Sequence, residues 1–190
     1  MIPRLTMSGV LPPYTGATPV EQATVSPYRS TMVEFATRFC TSAHRVALFR
    51  GLVKLRKELN SLGITEGLQW FDGSFCEDAE TNLGRSPSDI DLVTLFTRPV
   101  GLTDATAWQA CVNANLKLFI PAEAKKEFGC DPYYVDGSFP VYIVANRIAY
   151  WFGLFSHQRT SNLWKGMVQI PLLADDEDAL AVIDAMAFSP

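Results

Sequence analysis

The stretch 67-GLQWFDGSFCEDAETNLGRSPSDIDLVTLF-96 decides how this chain is read. Leu68 to Phe71 is a short apolar strand, and Asp72-Gly73-Ser74 is the turn that leaves it. Residues 76 to 88 are polar, and Gly84 and Pro87 argue against a regular element there. Ile90, Leu92, Val93, Leu95 and Phe96 make a second strand. Residues two apart in a strand share a face, so Asp89 and Asp91 project together while Ile90 and Leu92 point into a core. Two adjacent carboxylates repel one another and lose hydration unless a cation or strong donors compensate them. A divalent cation does this well, and magnesium is commonly held by one or two carboxylates together with substrate phosphates. The competing reading places the pair at the solvent edge of the strand, where water hydrates both groups.

Gly73 and Ser74 add a second part. A glycine lets a phosphate approach the backbone, and a hydroxyl with nearby N–H groups donates to its oxygens. If the two strands pair, this turn lies beside the start of the strand carrying Asp89 and Asp91, which makes phosphate cradle and metal neighbours. The acids of this region, Glu66, Asp72, Glu77, Asp78, Glu80, Asp89 and Asp91, face only Arg85 and Arg98. Such a cluster suits an anionic substrate that arrives with its metal. Glu77, Asp78 and Glu80 read as a solvated loop, and Asp72 as a structural turn former.

The stretch resembles the nucleotidyltransferase superfamily of the DNA polymerase beta type: an apolar strand, Gly-Ser, a variable loop, then Asp-x-Asp among hydrophobic residues. The resemblance implies that Gly73 and Ser74 hold a nucleoside triphosphate and that Asp89 and Asp91 bind Mg2+ (or Mn2+). It also implies a third carboxylate from a later strand, acting as metal ligand or base, for which Asp131 in EFGCDPYYV is the candidate and Asp136 the alternative. More narrowly, IPRLTMSGVLPP, FDGSF and YWFGLFSHQRTSNLWKGMVQIPL resemble small bacterial and phage-associated nucleotidyltransferase-like proteins. The implied activity is metal-dependent nucleotidyl transfer to an acceptor that is RNA, protein or a small molecule. The alternative is a catalytically degenerate nucleotide- or protein-binding partner, such as a toxin–antitoxin or phage-defence component. In FSHQRTSNLWKG, Arg159 and Lys165 either contact phosphate or acceptor or flank an exposed turn.

The remainder of the chain frames this site. At 190 residues, with 48 % hydrophobic and 19 % charged residues, it has the size and composition of one globular domain. A net charge of −4 gives no basic surplus for general nucleic-acid binding. Cys40, Cys76, Cys111 and Cys130 form no CxxC pair, which disfavours a zinc site and fits a reducing, cytoplasmic setting. The start lacks the long apolar run of a signal peptide, and no stretch reads as a membrane span.

Residues 1 to 28, rich in proline, read as an extended arm, and 29 to 190 as one α+β domain with a small mixed sheet flanked by helices. Ser42 caps a helix to about Leu62, with Gly63 as its stop. Its basic residues, Arg45, Arg50, Lys54, Arg56 and Lys57, read as a solvated face or one that meets a polyanion. Thr103 or Asp104 caps a helix to about Leu118. Another helix starts at Pro121 and stops at Gly129. Pro132 to Val135 is a strand whose proline favours an edge or a strand start. Val141 to Phe155, apolar on nearly all sides, reads as a buried helix, with Trp151, Phe152 and Phe155 as core. Met167 to Leu173 is a further strand, and the acids 175 to 178 open a last helix. So small a domain leaves room for a protein partner or second copy to complete the pocket.

Overall fold

The computed structural model describes residues 1–19, 21–159 and 161–186. It is an α+β fold built on a five-stranded mixed sheet. The strands are β1 (Tyr28–Arg29), β2 (Gly67–Asp72), β3 (Ile90–Phe96), β4 (Cys130–Asp136) and β5 (Val168–Pro171). Their order is β1-β5-β2-β3-β4, with β2 antiparallel to both β3 and β5, and the outer pairs β1/β5 and β3/β4 parallel. β4 is an edge strand, where Pro132 costs no ladder hydrogen bond on its open side.

The helices are α1 (Met32–Phe39), α2 (Ala43–Ser61), α3 (Ala79–Leu83), α4 (Ala105–Ala114), α5 (Leu116–Phe119), α6 (Pro121–Phe128), α7 (Val141–Phe155) and α8 (Asp176–Asp184). Local signals set several ends. Ser42 accepts from the Arg45 N–H, and Asp104 accepts from the N–H groups of Thr106 and Ala107. The helix expected to run from Asp104 to Leu118 breaks at Asn115 into α4 and α5. Asp175 caps at long range: its carboxylate accepts from the backbone N–H of Met32 and Val33, tying α8 to the start of α1.

Strand alternation divides the sheet between two cores. Phe71, Ile90, Leu92, Phe96, Cys130 and Ile170 pack against α1, α2, α6 and α8. Trp70, Val93, Val135 and Met167 face the other way, toward Val144, Ile148, Trp151 and Phe155 of α7. These α7 residues recur at helical spacing, so one stripe of the helix docks on the sheet. The expectation of a buried helix is corrected here: Val141, Tyr142 and Tyr150 are exposed, because α7 touches the sheet along that stripe only.

The basic face of α2 is corrected too. Arg56 is fully buried and donates to Gln69 Oε1 (2.5 Å), Asp176 Oδ1 (2.8 Å) and the carbonyl of Pro171 (2.9 Å), while Gln69 donates to Thr94 Oγ1 (3.0 Å). This network joins α2, β2, β3 and α8, and each buried polar group in it finds a partner. The proline-rich start also does more than lie on the surface. Ile2, Val10 and Leu11 are buried, and Gly9 accepts from the Asp78 N–H beside α3. No helix among the described residues is long and apolar enough to cross a membrane.

Candidate functional site

The register of the sheet builds the site. Asp72 at the end of β2 pairs with Asp91 of β3, and Asp91 pairs with Asp131 of β4. Residues directly opposite on neighbouring strands project to the same face. Three carboxylates therefore stand in a row across three strands, on the side that also carries α7. Asp89, just before β3, joins them. The carboxylates of Asp89, Asp91 and Asp131 each offer an oxygen within 4.8 Å of the others.

Asp136 lies elsewhere. It sits at the far end of β4, an odd number of residues from Asp131 and hence on the opposite face, and it pairs with Arg98 at 2.6 Å. Of the two candidates for the third carboxylate, the strand brings Asp131 to the cluster and leaves Asp136 out.

The turn after β2 is held from several directions. Gly73 has φ 73° and ψ −167°, a region open essentially to glycine alone. A Cβ there would lie 1.8 Å from Asp91 Oδ2, so the missing side chain is also the space that Asp91 fills. Ser74 to Cys76 form a single 3-10 turn. Phe75 anchors it in the core, its ring 5.7 Å from that of Phe35. Buried Arg45 then donates to the carbonyls of Phe75 (2.6 Å) and Glu77 (2.8 Å) and pairs with Glu80 (2.7 Å). Among the described backbone hydrogen bonds, the N–H groups of Ser74 and Phe75 donate to none. This leaves two backbone donors in the turn that follows Gly73.

Glu77, expected in a solvated loop, is buried. The physical reason is Lys165, which is only 4 % exposed: its Nζ lies 2.5 Å from Glu77 Oε1 and 2.9 Å from Asp72 Oδ1. Gln158 donates to the other Glu77 oxygen at 2.9 Å. Lys165 is thus no part of an exposed turn, and its charge is committed to two carboxylates beneath the Gly73–Ser74 turn. Burial opposes that charge, but Asp72 and Glu77 outweigh it and hold Lys165 above its ordinary pKa. Glu80 stays exposed, as expected, but lies in α3 and pairs with buried Arg45, while Asp78 caps α3 within a run expected to be irregular.

These groups line a cavity of about 510 Å³. Its floor carries Asp72, Glu77, Asp89, Asp91 and Asp131, and its walls carry Arg85, Lys125, His157 and Arg159. Arg159 is exposed, while Lys165 closes the floor. Burial pushes the Asp91 carboxyl up to about 7, reinforced by the charges of Asp89, Asp72 and Asp131 and opposed by Arg159. Burial also raises Asp72, to about 6, against the pull of Lys165. Lys125 sits 2.5 Å from Asp89 Oδ2, and that hydrogen bond raises its pKa.

A divalent ion fits this donor set. Hard oxygen ligands at about 2.0–2.1 Å from Mg2+ stand about 2.9 Å apart when adjacent and about 4.2 Å when opposite, so the triad closes on one ion by side-chain movements of at most about 2 Å. Asp91 accepts no hydrogen bond or ion pair among the described residues, and a cation would offset the burial and the carboxylate repulsion that together hold it up to about 7.

The family model described as "Family of unknown function (DUF6932)" matches residues 3–171. The chain belongs to the DUF6932 family. The match takes in the N-terminal arm, the whole carboxylate row and the loop that supplies Arg159 and Lys165. No curated protein and no solved structure matches this DUF6932 chain.

Sequence reasoning missed Asp72, Glu77 and Lys125 as lining residues of this cavity. Strand parity carried a signal for Asp72, since Leu68, Trp70 and Asp72 share a face once β2 pairs with β3. Glu77 and Lys125 carried none, because their partners lie far along the chain or on another element. The four cysteines are free thiols.

Proposed function

We propose that the protein is a metal-dependent nucleotidyltransferase that moves a nucleotide from a nucleoside triphosphate to an acceptor hydroxyl on RNA, protein or a small molecule. The observation that carries this reading is the convergence of Asp89, Asp91 and Asp131 within 4.8 Å beside the Gly73–Ser74 turn. The likeness of that strand–Gly-Ser–loop–Asp-x-Asp pattern to the nucleotidyltransferase superfamily supports it.

Asp89, Asp91 and Asp131 would hold Mg2+ or Mn2+. When bound, the ion supplies positive charge to phosphate oxygens and lowers the pKa of a coordinated hydroxyl. The chain's own groups do the rest. Ser74 and the N–H groups of its turn receive the terminal phosphates, with Arg85 and Arg159 as counter-charges on the walls. The acceptor oxygen attacks the α-phosphorus, the bond to the bridging oxygen breaks, and pyrophosphate leaves. Asp131, on the edge strand and half-buried, takes the hydroxyl proton. Phosphoryl chemistry of this kind depends mainly on positioning and charge compensation, which so few groups can supply.

The test is incubation with each α-labelled nucleoside triphosphate and Mg2+ or Mn2+, with total RNA, protein and the enzyme itself as acceptors. The proposal expects metal-dependent label transfer or pyrophosphate release, lost in Asp91→Asn. Tight nucleotide binding with no turnover under any of these conditions would refute transfer and leave a binding protein.

A further inference from the structure

Two lysines reach the same cavity, and their surroundings divide their roles. Lys165 is enclosed between Asp72 and Glu77, and moving it would strand two buried carboxylates. Lys125, on α6, is different. Its side chain is 48 % exposed, and its Nζ contacts Asp89 Oδ2 at 2.5 Å. The other Asp89 oxygen accepts from Ser88 Oγ at 2.7 Å. Both Asp89 oxygens are therefore occupied by the protein's own donors, while Asp91 has none. A cation shared by the three aspartates must coordinate Asp89, and at Oδ2 it meets the like charge of Lys125. The oxygen to be released is the one held by a flexible, half-exposed ammonium.

We infer that Lys125 is an exchangeable counter-ion: it neutralises Asp89 until a divalent cation enters the triad, then leaves and pairs with the phosphates that accompany the metal. This rests on the metal–nucleotide reading above and adds a coupling to it. One side chain opposes the bare ion and favours the ion–triphosphate complex, so the site discriminates for its substrate as a unit. Nothing else among the described residues pairs with Lys125, whereas its neighbour Lys126 is engaged by Glu123 at 2.9 Å. The ammonium has a four-carbon stem and its target lies in the same cavity, so no backbone movement is needed.

The experiment measures two affinities in the full chain: Mn2+ alone, by electron paramagnetic resonance of the free ion, and the preformed Mn2+ complex of a non-hydrolysable ATP analogue, by calorimetry. Lys125→Met is expected to bind Mn2+ alone about three- to five-fold tighter than wild type, yet to bind the complex more weakly. Lys126→Met removes the same charge one residue away and is expected to match wild type in both. Lys125→Arg restores a cation and is expected to return both affinities toward wild type. If wild type binds Mn2+ and Lys125→Met binds it no tighter than Lys126→Met, the counter-ion role is refuted while the metal site stands. If Lys125→Met holds the complex as tightly as wild type, the coupling is refuted. If folded wild type binds no Mn2+, the metal reading itself fails.

Discussion

Substituting Gly73 by alanine perturbs the site through two separable effects. The first is backbone strain: φ 73° with ψ −167° is a region where a residue with a Cβ costs about 1–3 kcal/mol. The second is collision, since the new Cβ would stand 1.8 Å from Asp91 Oδ2 and such contacts below 3.0 Å are essentially never found. Asp91 Oδ2 must therefore shift by about 1.2 Å from the position it holds beside Asp89 and Asp131. Gly84→Ala is the control. Gly84 also has a positive φ, of 64°, but an added Cβ there meets nothing within 4 Å. It carries a left-handed strain of about 1–2 kcal/mol with no effect on any ligand. At about 2–4 °C per kcal/mol for a chain of this size, Gly73→Ala should lower Tm by about 2–12 °C and Gly84→Ala by about 2–8 °C. The separation comes in metal binding. Displacing a ligand by an ångström should cost Gly73→Ala about 10- to 100-fold in Mn2+ affinity, as losses in a metal's supporting shell do. Gly84→Ala should leave that affinity unchanged. Calorimetric unfolding and Mn2+ titration of both variants make the comparison, and equal Mn2+ affinities would refute the argument that Gly73 makes room for Asp91.

Other outcomes follow from the same geometry. Because Asp91 is held up to about 7 and a metal requires its anionic form, Mn2+ affinity should rise as pH increases toward 7 and flatten above it; a titration series from pH 5 to 8 checks the sign, and a flat profile contradicts it. Asp131→Asn should weaken Mn2+ binding at least about tenfold. Asp136→Asn should leave that binding unchanged and lower Tm, because it strands Arg98; the reverse pattern would exchange their roles. Arg56→Met leaves Asp176 and buried Gln69 without their partner and should destabilise the fold by about 3–5 kcal/mol, read from denaturant unfolding.

What was legible in the sequence had a local cause. Ser42, Asp104, Pro121 and Gly129 mark helix ends through their own backbone chemistry, and each stands where it was expected. The two-residue period placed Asp89 and Asp91 together, and Pro132 put its strand at the edge. What was hidden depended on partners distant in the chain. Arg56 reads as a surface residue by helical period, and only Gln69 and Asp176 explain its burial. Glu77 looks like loop until Lys165, far downstream, closes on it. Composition misled at α7, because an apolar helix is buried only along the stripe that finds a surface, and the sheet offers it one side. Asp72 lay between these cases. Its strand was correctly placed, but only the register with Asp91 makes it part of the carboxylate row.

The most direct test is the anomalous diffraction of a crystal soaked in Mn2+ with a non-hydrolysable nucleoside triphosphate. The account predicts a peak among Asp89, Asp91 and Asp131, with carboxylate oxygens about 2.0–2.3 Å away and phosphate density against the Gly73–Ser74 turn. A fully soaked crystal with no peak at the triad, or with the nucleotide seated elsewhere, would contradict it.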